Sequence, residues 1–406
     1  MRRTIVLIAG FLLLFLILSG GNLLYGSEVR GVTKDTIKMG VMLDVTGPAA
    51  ADMAPILSGI RNCYRYVNDK GGVNGRMIKL LVEDDRYSIP MSLAGFKKLV
   101  FKDKVLHIAG PTSSHGTSAL LPLFKKEKLP MMAYTASDEI TKSYKRYAFT
   151  LSSDYEDQTA VTIDYIMKEM KSKDPRIALV CPDNTYGKTF LTAAMGYLQL
   201  YGVKPVDKEV LNVGAIDAST QMLGLKRAKA THVIHHGYVG TQIAFMRAMK
   251  QYRFTPYVFG QCGACTEVAI EGVPDMSPYY FGNAASSAWY EDKPGLARVR
   301  EITLKYQPGI ERPSRFYTLA WAIVVVVTEG LKRAGKDLSN ETLIDALESL
   351  KDFDTGGLIA PVTYTKTSHK PNKHAVLYKA DGNKGVFIRL GDWRKPLLKK
   401  KLGKTN

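Results

Sequence analysis

Strand-like and helix-like segments alternate along the chain from residue 37 to about residue 260, and this alternation limits the possible folds more than any other feature. In the first of them, "IKMGVML" (37–43), apolar residues occupy every second position, which is the periodicity of a β-strand. A helical pattern from about 55 to 68 follows, and the glycines of "DKGGVNG" end it. Repeated alternation of this kind is typical of parallel sheets covered by helices on both faces, so we predict an α/β fold.

The length of 406 residues exceeds what one hydrophobic core usually organises, so we expect two domains. One strand–helix unit ends near residue 150 and the next ends near residue 284. A long helix at about 314–335, a shorter helix in "ETLIDALESL" and hairpin strands in "AVLYKA" and "GVFIRL" follow them. The pattern predicts two doubly wound lobes, each built on a parallel sheet, and contains no short repeat that would indicate a solenoid.

The first residues have the pattern of a secretory signal peptide. Arg2 and Arg3 precede an apolar run at 5–18, and small residues follow it. We predict a signal peptide at residues 1–26, cleaved near Gly26, and export to the periplasm. The alternative is an uncleaved membrane anchor, although the run is shorter than the roughly 20 residues that span a bilayer. The later apolar segment "LAWAIVVVV" is also too short to span one.

The formal net charge of +18 raises the question of a nucleic-acid partner. Lysine and arginine residues are spread along the chain, and no stretch alternates them with stacking aromatic residues, so we expect no nucleic-acid binding. The densest basic run, "RKPLLKKKLGK", lies near the C-terminus. We predict that residues 399–406 form a solvated basic tail, with weak attraction to an anionic membrane surface as the functional alternative.

Four cysteines occur, at positions 63, 181, 262 and 265. Cys63 shares a helical stripe with apolar residues, which indicates packing in the core. The segment "CGAC" has the C-x-x-C spacing of redox sites, yet it lies late in a long chain instead of opening a helix after an N-terminal strand. We expect a local disulfide or two free thiols at Cys262 and Cys265. A zinc site would need further ligands, which no second C-x-x-C supplies.

Two other clusters have the residue types of catalytic or metal sites. In "HVIHH", His232 and His236 lie on one face of the expected strand and His235 lies on the other, so three ligands cannot converge on a metal. Asp84 and Asp85 follow a strand, but no separated carboxylate is expected to face them, so roles in a turn and in the lobe structure are favoured over acid–base catalysis. The sequence therefore indicates no metal and no cofactor.

The segment "GPTSSHGTSA" (110–119) joins serines, threonines and a histidine at the end of a predicted strand. Ser114 and His115 are adjacent, so their side chains diverge instead of forming a nucleophile–base pair, and no G-x-S-x-G motif is present. Ser113 or Ser114 lies just before a helix that we expect to start near Thr117. Free backbone amides and the positive dipole end at such a helix start attract a carboxylate, so we favour a binding role over catalysis.

Other predicted strand ends carry polar residues and glycines, and in open parallel sheets ligands collect at these ends. Thr135 and Ser137 precede a short predicted helix, as the 110–119 segment does, although helix capping alone would also explain them. Tyr186 and Tyr238 lie at strand ends beside or near glycine, where they would form aromatic walls of a ligand site or pack elsewhere in the fold. Two lobes facing each other through these loops would enclose a cleft.

These motifs together resemble those of the branched-chain amino acid (Leu/Ile/Val) binding proteins, which are exported receptors of ABC importers. The resemblance rests on "IKMGVMLDVTGPAA", "GIRNCYRYVNDKGGVNGRMIKLLVEDD", "GPTSSHGTSALLPLFKKEKLPMMAYTAS" and "RIALVCPDNTYG", and it continues through "HHGYVGTQ" and "YTLAWAIVVVVTEGLKRAG". It implies the type I periplasmic binding protein fold, in which a three-segment hinge joins two lobes around a ligand cleft. The implied first lobe comprises residues 28–153 and 285–360, and the second comprises residues 154–284 and 361–398.

The resemblance also implies the ligand-binding residues and the partners. Residues implied to hold the ligand carboxylate are Ser114, Thr135, Ala136 and Ser137, and those implied to close over the ligand are Tyr186 and Tyr238. The expected partners are a small-molecule ligand and an inner-membrane ABC permease. We expect the protein to act as a monomer and not as an enzyme.

One departure from the family leaves the nature of the ligand open. The family's amino-acid receptors usually offer an acidic residue to the ligand ammonium in the loop that corresponds to "FGQCGA", where this chain has Gln261 and Cys262. A buried ammonium without an anion is costly, so Asp52, Asp154 or Glu156 would have to substitute. Cys262 and Asp52 are therefore included among the expected ligand-binding residues. We expect a branched-chain or related amino acid; the alternatives are an amine-free carboxylate such as an aromatic acid, or a ligand-sensing role without transport.

Overall fold

The computed structural model describes residues 29–170 and 172–398, and it contains two β-sheets. The predicted signal peptide at residues 1–26 and the predicted basic tail at residues 399–406 lie outside the described residues. Strands and helices alternate along the chain, which confirms the α/β fold expected from the sequence pattern.

The first sheet consists of five parallel strands in the order β2-β1-β3-β4-β5. They are β1 (Thr36–Leu43), β2 (Met77–Asp84), β3 (His107–Ala109), β4 (Met131–Ala133) and β5 (Ala148–Thr150). β1 lies between two neighbours, and all of its residues except Thr36 and Lys38 are buried. The mostly apolar sequence of this strand follows from its position, because helices cover both faces of a parallel sheet.

The second sheet has seven strands in the order β12-β11-β10-β9-β8-β6-β7. They are β6 (Ile177–Cys181), β7 (Asp207–Val210), β8 (His232–Gly237), β9 (Tyr257–Cys262), β10 (Tyr280–Ala284), β11 (Val376–Asp381) and β12 (Val386–Arg389). Strands β6 to β10 are parallel, whereas β11 pairs antiparallel with both β10 and β12. The predicted C-terminal hairpin is therefore confirmed, and it extends the parallel sheet at one edge.

Helices flank both sheets in the described part of the chain. The α-helices are α1 (Ala50–Asp69), α2 (Ile89–Lys97), α3 (Ser114–Lys126), α4 (Asp138–Thr141), α5 (Tyr155–Lys168), α6 (Thr185–Leu200), α7 (Ser219–Arg227), α8 (Val239–Tyr252), α9 (Glu267–Gly272), α10 (Pro294–Tyr306), α11 (Arg315–Ala334) and α12 (Asn340–Glu348). A π-helical turn at Lys98–Lys102 continues α2, and a 3₁₀ helix at Pro274–Tyr279 follows α9.

The chain passes between the two sheets three times. It leaves the first sheet after β5, returns to it after β10 so that α10 to α12 pack there, and goes back to the second sheet before β11. We call the unit built on β1–β5 with α1–α4 and α10–α12 the first lobe, and the unit built on β6–β12 with α5–α9 the second lobe. The residue limits of the lobes at 153, 284 and 360 stay a prediction.

The apolar segment "LAWAIVVVV" forms the middle of α11. Side chains of this segment, such as Ile323, Val324 and Val327, belong to the hydrophobic core of the first lobe. Within residues 29–170 and 172–398, the structure contains no helix with the length and apolar character needed to cross a membrane. α11 is therefore a core helix, and its apolar sequence is explained by burial.

Helix α1 packs against α11 at Gly59, and this contact makes a stability prediction. A Cβ atom at Gly59 would lie 2.8 Å from the Ala320 Cβ and 2.9 Å from the Tyr317 carbonyl oxygen. Alanine gains about 1 kcal/mol of helix propensity over glycine, but overpacking a core contact costs about 1–3 kcal/mol. Because both neighbouring atoms are fixed by the helices, the overpacking cost should exceed the gain, and we expect Gly59→Ala to lower the thermal unfolding midpoint of the ligand-free protein by about 1–3 °C, measured by differential scanning calorimetry.

A matched control is Gly272→Ala, at the end of α9, where the added Cβ would have no atom within 4 Å apart from its chain neighbours and the backbone of its own helix. This substitution should leave the midpoint unchanged or raise it slightly. A Gly59→Ala protein as stable as the unsubstituted chain would show that α1 and α11 are not in close contact.

Candidate ligand-binding site

A cavity of about 110 Å³ lies between the carboxyl ends of the parallel strands of the two lobes. Its lining includes Thr112 and Ser114 after β3, Thr135 and Ala136 after β4, Tyr155 after β5, Tyr186 after β6, Tyr238 after β8, and Cys262 and Gly263 at the end of β9. Ligands of open parallel sheets bind at these strand ends, so the cavity has the position expected from the sequence. Of the eight residues predicted to bind the ligand, seven line it; Ser137 does not.

Helix α3 begins at Ser114, three residues earlier than the expected start near Thr117. The helix can begin there because Ser113 caps it, with its Oγ accepting the backbone N–H of Gly116 at 3.0 Å. The expectation of a later start was wrong, since the small polar residues of this segment form the first turn instead of a loop. Ser114 is consequently the first residue of a helix, at its positive end.

Three hydroxyl groups form a chain in the cavity wall. The Ser114 Oγ lies 2.6 Å from the Thr135 Oγ1, which lies 2.9 Å from the phenolic oxygen of Tyr155. Ser114 and Thr135 belong to the first lobe and Tyr155 begins α5 of the second, so the chain crosses the cleft. Because hydroxyl hydrogens rotate, these groups can turn their O–H donors toward an anion.

The structure does not pair Ser114 with His115 as nucleophile and base. The Nε2 atom of His115 lies 3.1 Å from the carbonyl oxygen of Tyr87, and the Ser114 hydroxyl contacts Thr135. This arrangement agrees with the divergence expected for adjacent side chains and leaves Ser114 free to act as a hydrogen-bond donor.

Tyrosine side chains from both lobes cover the hydroxyl chain. The phenolic oxygens of Tyr87 and Tyr238 lie 2.6 Å apart, and Tyr238 also accepts a hydrogen bond from the Asn184 amide at 3.2 Å. Tyr186 donates its hydroxyl to the carbonyl oxygen of Gly237 at 3.2 Å. Tyr87 belongs to the first lobe and Tyr238 to the second, so their contact is a second bridge across the cleft.

Tyr87 owes its position to a turn after β2. The backbone amides of Tyr87 and Thr112 donate to the Asp85 carboxylate at 3.0 and 2.8 Å. Arg86 and Tyr87 have φ angles of 44° and 57°, in the left-handed region that non-glycine residues seldom adopt. Asp84 accepts from the Val45 amide at 2.9 Å. Both aspartates thus have the turn roles expected from the sequence.

Sequence reasoning missed Tyr87 and Tyr155 as residues of the cavity. The adjacent aspartates before Tyr87 were a signal of a tight turn at a strand end, which presents the following side chain to the cleft. Tyr155 follows directly after the strand end of β5 in "SSDYED". The position of Tyr155 in the cavity wall depends on the passage of the chain from the first lobe to the second directly before α5.

Asp52 lies in the first turn of α1 and is 5% exposed. Its Oδ1 atom accepts a hydrogen bond from the Val239 amide of the second lobe at a long 3.4 Å. Burial removes water from the carboxylate and raises the pKa of Asp52 to about 7. A Cβ at Gly263 would lie 2.3 Å from the same oxygen, so glycine is needed where the second lobe approaches Asp52.

The other expected acidic residues are not in the cavity lining. Asp154 caps α5 by accepting the Asp157 amide at 3.0 Å, and its second oxygen lies 2.5 Å from the Lys370 ammonium. Glu156 also lies outside the lining. Ser137 precedes α4 and is buried there. Of the three carboxylates weighed as partners for an ammonium, Asp52 alone faces the cavity.

The four cysteines are all free, so of the two alternatives for "CGAC" the structure has two free thiols and no disulfide. Burial raises the pKa of the Cys262 and Cys265 thiols to about 12. Gln261 does not face the ligand space, because its side chain bonds to Thr159 and Thr162 of α5 at 3.2 and 2.9 Å. Cys262 is therefore the residue that this loop presents to the cavity.

The histidines of "HVIHH" are part of the second-lobe core. His235 Nδ1 lies 2.7 Å from the Gln242 side-chain oxygen, and the ring of His236 stacks on Phe190 with centroids 4.7 Å apart. Burial lowers the pKa of both imidazoles, to about 4 for His235 and about 3 for His236. Within the described parts of the chain, no group of three or more histidine, cysteine or acidic side chains could hold a metal ion.

Two α/β lobes around a cavity lined by strand ends define a protein of the type I periplasmic binding class. The chain belongs to the periplasmic binding protein family, whose model matches residues 36–385. Members of this family bind small ligands and work with ABC transporter permeases, and they are not enzymes. The protein is therefore a binding protein and not an enzyme.

Relatives from bacteria confirm the resemblance to the branched-chain amino acid binding proteins. The Leu/Ile/Val-binding protein BraC3 of Rhizobium johnstonii is 25% identical over 353 residues, which are 86% of this chain and 93% of the relative. A leucine-, isoleucine-, valine-, threonine-, and alanine-binding protein of Pseudomonas aeruginosa is 26% identical over 333 residues, or 81% of this chain and 86% of the relative.

Solved structures confirm the fold. A branched chain amino acid ABC transporter protein from Thermus thermophilus with bound valine has a TM-score of 0.82 at 20% identity, with 89% of this chain and 97% of that chain covered. A fatty acid ABC transporter substrate-binding protein from Thermomonospora curvata has a TM-score of 0.81 at 19% identity, with 90% and 94% covered. The two-lobed architecture is thus shared by proteins whose ligands differ.

The burial of the cysteines predicts their chemical reactivity. With a pKa of about 12 for Cys262 and Cys265, only about one thiol in ten thousand is ionised at pH 8. We expect no fast reaction of the native protein with Ellman's reagent, and reaction of all four thiols in guanidinium chloride.

The double variant Cys262→Ser/Cys265→Ser is the control and should lower the denatured count to two thiols. Two fast-reacting thiols in the native protein, or only two thiols after denaturation of the unsubstituted chain, would contradict a pair of free thiols with raised pKa values.

Proposed function

We propose that the protein is an exported substrate-binding protein of an ABC importer. It captures a small carboxylate-bearing ligand, a branched-chain or related amino acid, and delivers it to an inner-membrane permease. The observation that carries the proposal is the chain of hydroxyls from Ser114 through Thr135 to Tyr155, which begins at a helix start and crosses the cleft. The family and its amino-acid-binding relatives support the same conclusion.

The proposed carboxylate site lies at the start of α3. Hydroxyl donors of Ser114 and Thr135 and the positive helix end favour an anion there. Within the described lining, Arg315 is the only cationic residue, and its guanidinium lies 2.8 Å from Glu267 and over the ring of Tyr378 at 4.6 Å. The positive charge of Arg315 is thus compensated, and the carboxylate is held mainly by neutral donors.

The remainder of the cavity suits the apolar side chain of such a ligand. Met53 and Ile56 of α1 and Phe316 and Leu319 of α11 line it on the side of the first lobe. Transfer of aliphatic or aromatic groups from water to such a wall is favourable in proportion to the apolar area buried. This end of the cavity supports selection of ligands with an aliphatic or aromatic side chain.

Closure of the lobes is the proposed mechanism. Residues 28–153 and 285–360 rotate as one body against residues 154–284 and 361–398, and a ligand that contacts both lobes shifts the population toward the closed form. The contact of Tyr87 with Tyr238 supports this assignment because it joins the lobes over the cavity. The signal peptide at residues 1–26 exports the chain to the periplasm, where it acts as a monomer.

An amine-free carboxylate, such as an aromatic or fatty acid, is the second candidate ligand. It is favoured by Cys262, which occupies the wall where an acidic residue would receive an ammonium. The fatty acid ABC transporter substrate-binding protein from Thermomonospora curvata has the same fold. A ligand-sensing role without transport is a further alternative that would use the same cavity.

The proposed carboxylate site predicts the effect of removing one hydroxyl. Ligands are first found by native mass spectrometry of protein purified without refolding and by a thermal-shift screen of carboxylates with and without an amine. We expect Ser114→Ala to weaken binding of the identified ligand by about 1–2 kcal/mol, because a charge-assisted hydrogen bond is lost. This is an increase of about 5- to 30-fold in Kd, measured by titration calorimetry.

The matched control is Ser118→Ala, one turn further along α3 and outside the cavity lining. It should leave the Kd unchanged. Equal affinity of Ser114→Ala and the unsubstituted protein would remove Ser114 from the site, and the absence of any carboxylate ligand would refute the proposed ligand class.

A further inference from the structure

Asp52 is a carboxylate in the cavity wall without a cationic partner. Its side chain is buried, and it takes part in none of the ion pairs within the described part of the chain, residues 29–170 and 172–398. Its hydrogen-bond partners are backbone amides only, that of Val239 at 3.4 Å and its own. A buried carboxylate is normally paired with a cation or accepts several strong hydrogen bonds, so the negative charge of ionised Asp52 is not compensated.

Among the described residues, the groups that interact with Asp52 electrostatically supply no positive charge, and Arg315, the cationic residue of the same lining, is paired with Glu267. The carboxylate of Asp44, which follows β1 and accepts the Ala49 amide at 2.7 Å, raises the pKa of Asp52 further. Tyr87 from the turn after β2, Tyr238 before α8 and Cys262 at the end of β9 are the other titratable groups that interact with Asp52 electrostatically. Burial raises the pKa of all three, which keeps them neutral at physiological pH.

The position of Asp52 allows a ligand to reach it and the hydroxyl chain together. Asp52 and Ser114 line one cavity, and each lies in the first turn of a first-lobe helix. Gly263 of the second lobe covers Asp52 closely, since an added Cβ would meet its Oδ1 at 2.3 Å. A cation bound by Asp52 would thus be enclosed on both sides when the lobes are closed.

We propose that Asp52 is the counter-ion of a ligand ammonium group, so that the ligand is an amino acid and not an amine-free acid. The proposal rests on the proposed function, which supplies the carboxylate of the ligand at Ser114 and Thr135. Asp52 thereby supplies the anion for the ammonium, which the second-lobe loop does not supply because it presents Cys262 to the cavity. The anion for the ammonium comes from the first lobe.

The charge of Asp52 also acts against the second candidate ligand. An amine-free acid would bring its carboxylate into the same enclosed cavity as the Asp52 carboxylate, and two like charges there repel each other strongly. Such a ligand requires protonated Asp52, so its binding would strengthen as the pH falls. An ammonium requires ionised Asp52, so the binding of an amino acid would weaken as the pH falls.

The experiment compares ligands that differ only in the amine. The probes are L-leucine, L-valine and L-phenylalanine and their amine-free counterparts isocaproate, isovalerate and hydrocinnamate, titrated calorimetrically into the full exported chain. We expect at least one amino acid to bind at least about 100-fold more tightly than its counterpart, because an unpaired buried carboxylate disfavours the amine-free acid. We expect Asp52→Asn to raise the Kd of that amino acid at least about tenfold and to reduce the preference for it over its amine-free counterpart.

The pH dependence gives a second readout that does not need the variant. Since the pKa of Asp52 is about 7 before binding, the affinity for the amino acid should fall below pH 7, by up to about tenfold per pH unit. In Asp52→Asn this dependence should disappear between about pH 5 and 8. The thermal midpoint of ligand-free Asp52→Asn, which we expect to be unchanged or higher, shows whether the variant folds.

The outcomes separate this inference from the proposed function. The role of Asp52 would be overturned if amino acids and amine-free acids bound equally, or if the amine-free acids bound more tightly. It would also be overturned if folded Asp52→Asn kept the full affinity for the amino acid. None of these results would contradict the proposed carboxylate-binding function. If Asp52→Asn fails to fold, a pH-independent affinity of the unsubstituted protein overturns the proposal. Binding of none of the six probes would overturn both the inference and the proposed ligand class.

Discussion

Polar groups from the two lobes meet in the wall of a cavity between the lobes, where each buried group needs a hydrogen-bond partner. In this structure they find one another: Thr135 reaches Tyr155 at 2.9 Å and Tyr87 reaches Tyr238 at 2.6 Å. The proposed site depends on these hydrogen bonds across the cleft. A ligand carboxylate can replace the bonds between hydroxyls with stronger, charge-assisted hydrogen bonds. A closed cavity without such donors would exclude an anion.

Buried ion pairs hold the segments where the chain crosses between the lobes. Lys370, on the third crossing, lies between the carboxylates of Asp154 and Asp157 at the start of α5. Arg315, at the start of α11, reaches Glu267 of the second lobe at 2.8 Å. Ion pairs of this kind add little net stability because desolvation offsets their attraction, but removing one partner is costly. Their contribution is to fix the relative position of the crossing segments.

Periodicity in the sequence predicted the sheets, the C-terminal hairpin and the position of the cavity, since these follow from local patterns of apolar residues and strand ends. The start of α3 was misplaced because the capping of the helix by Ser113 competes with a loop in a segment of small polar residues. Tyr87 and Tyr155 were missed because their positions depend on a left-handed turn and on the crossing of the chain. The lack of a cationic partner for Asp52 could not be read from its neighbours in sequence, because it depends on residues from four other segments of the described chain.

In the proposed function, the two lobes close around a ligand that binds at the hydroxyl chain. This closure can be measured by small-angle X-ray scattering of the exported chain, with and without a saturating ligand found by screening. We expect a smaller radius of gyration with ligand at an unchanged monomer mass, because the cleft closes. Saturation of the site with no change in the scattering curve would contradict it.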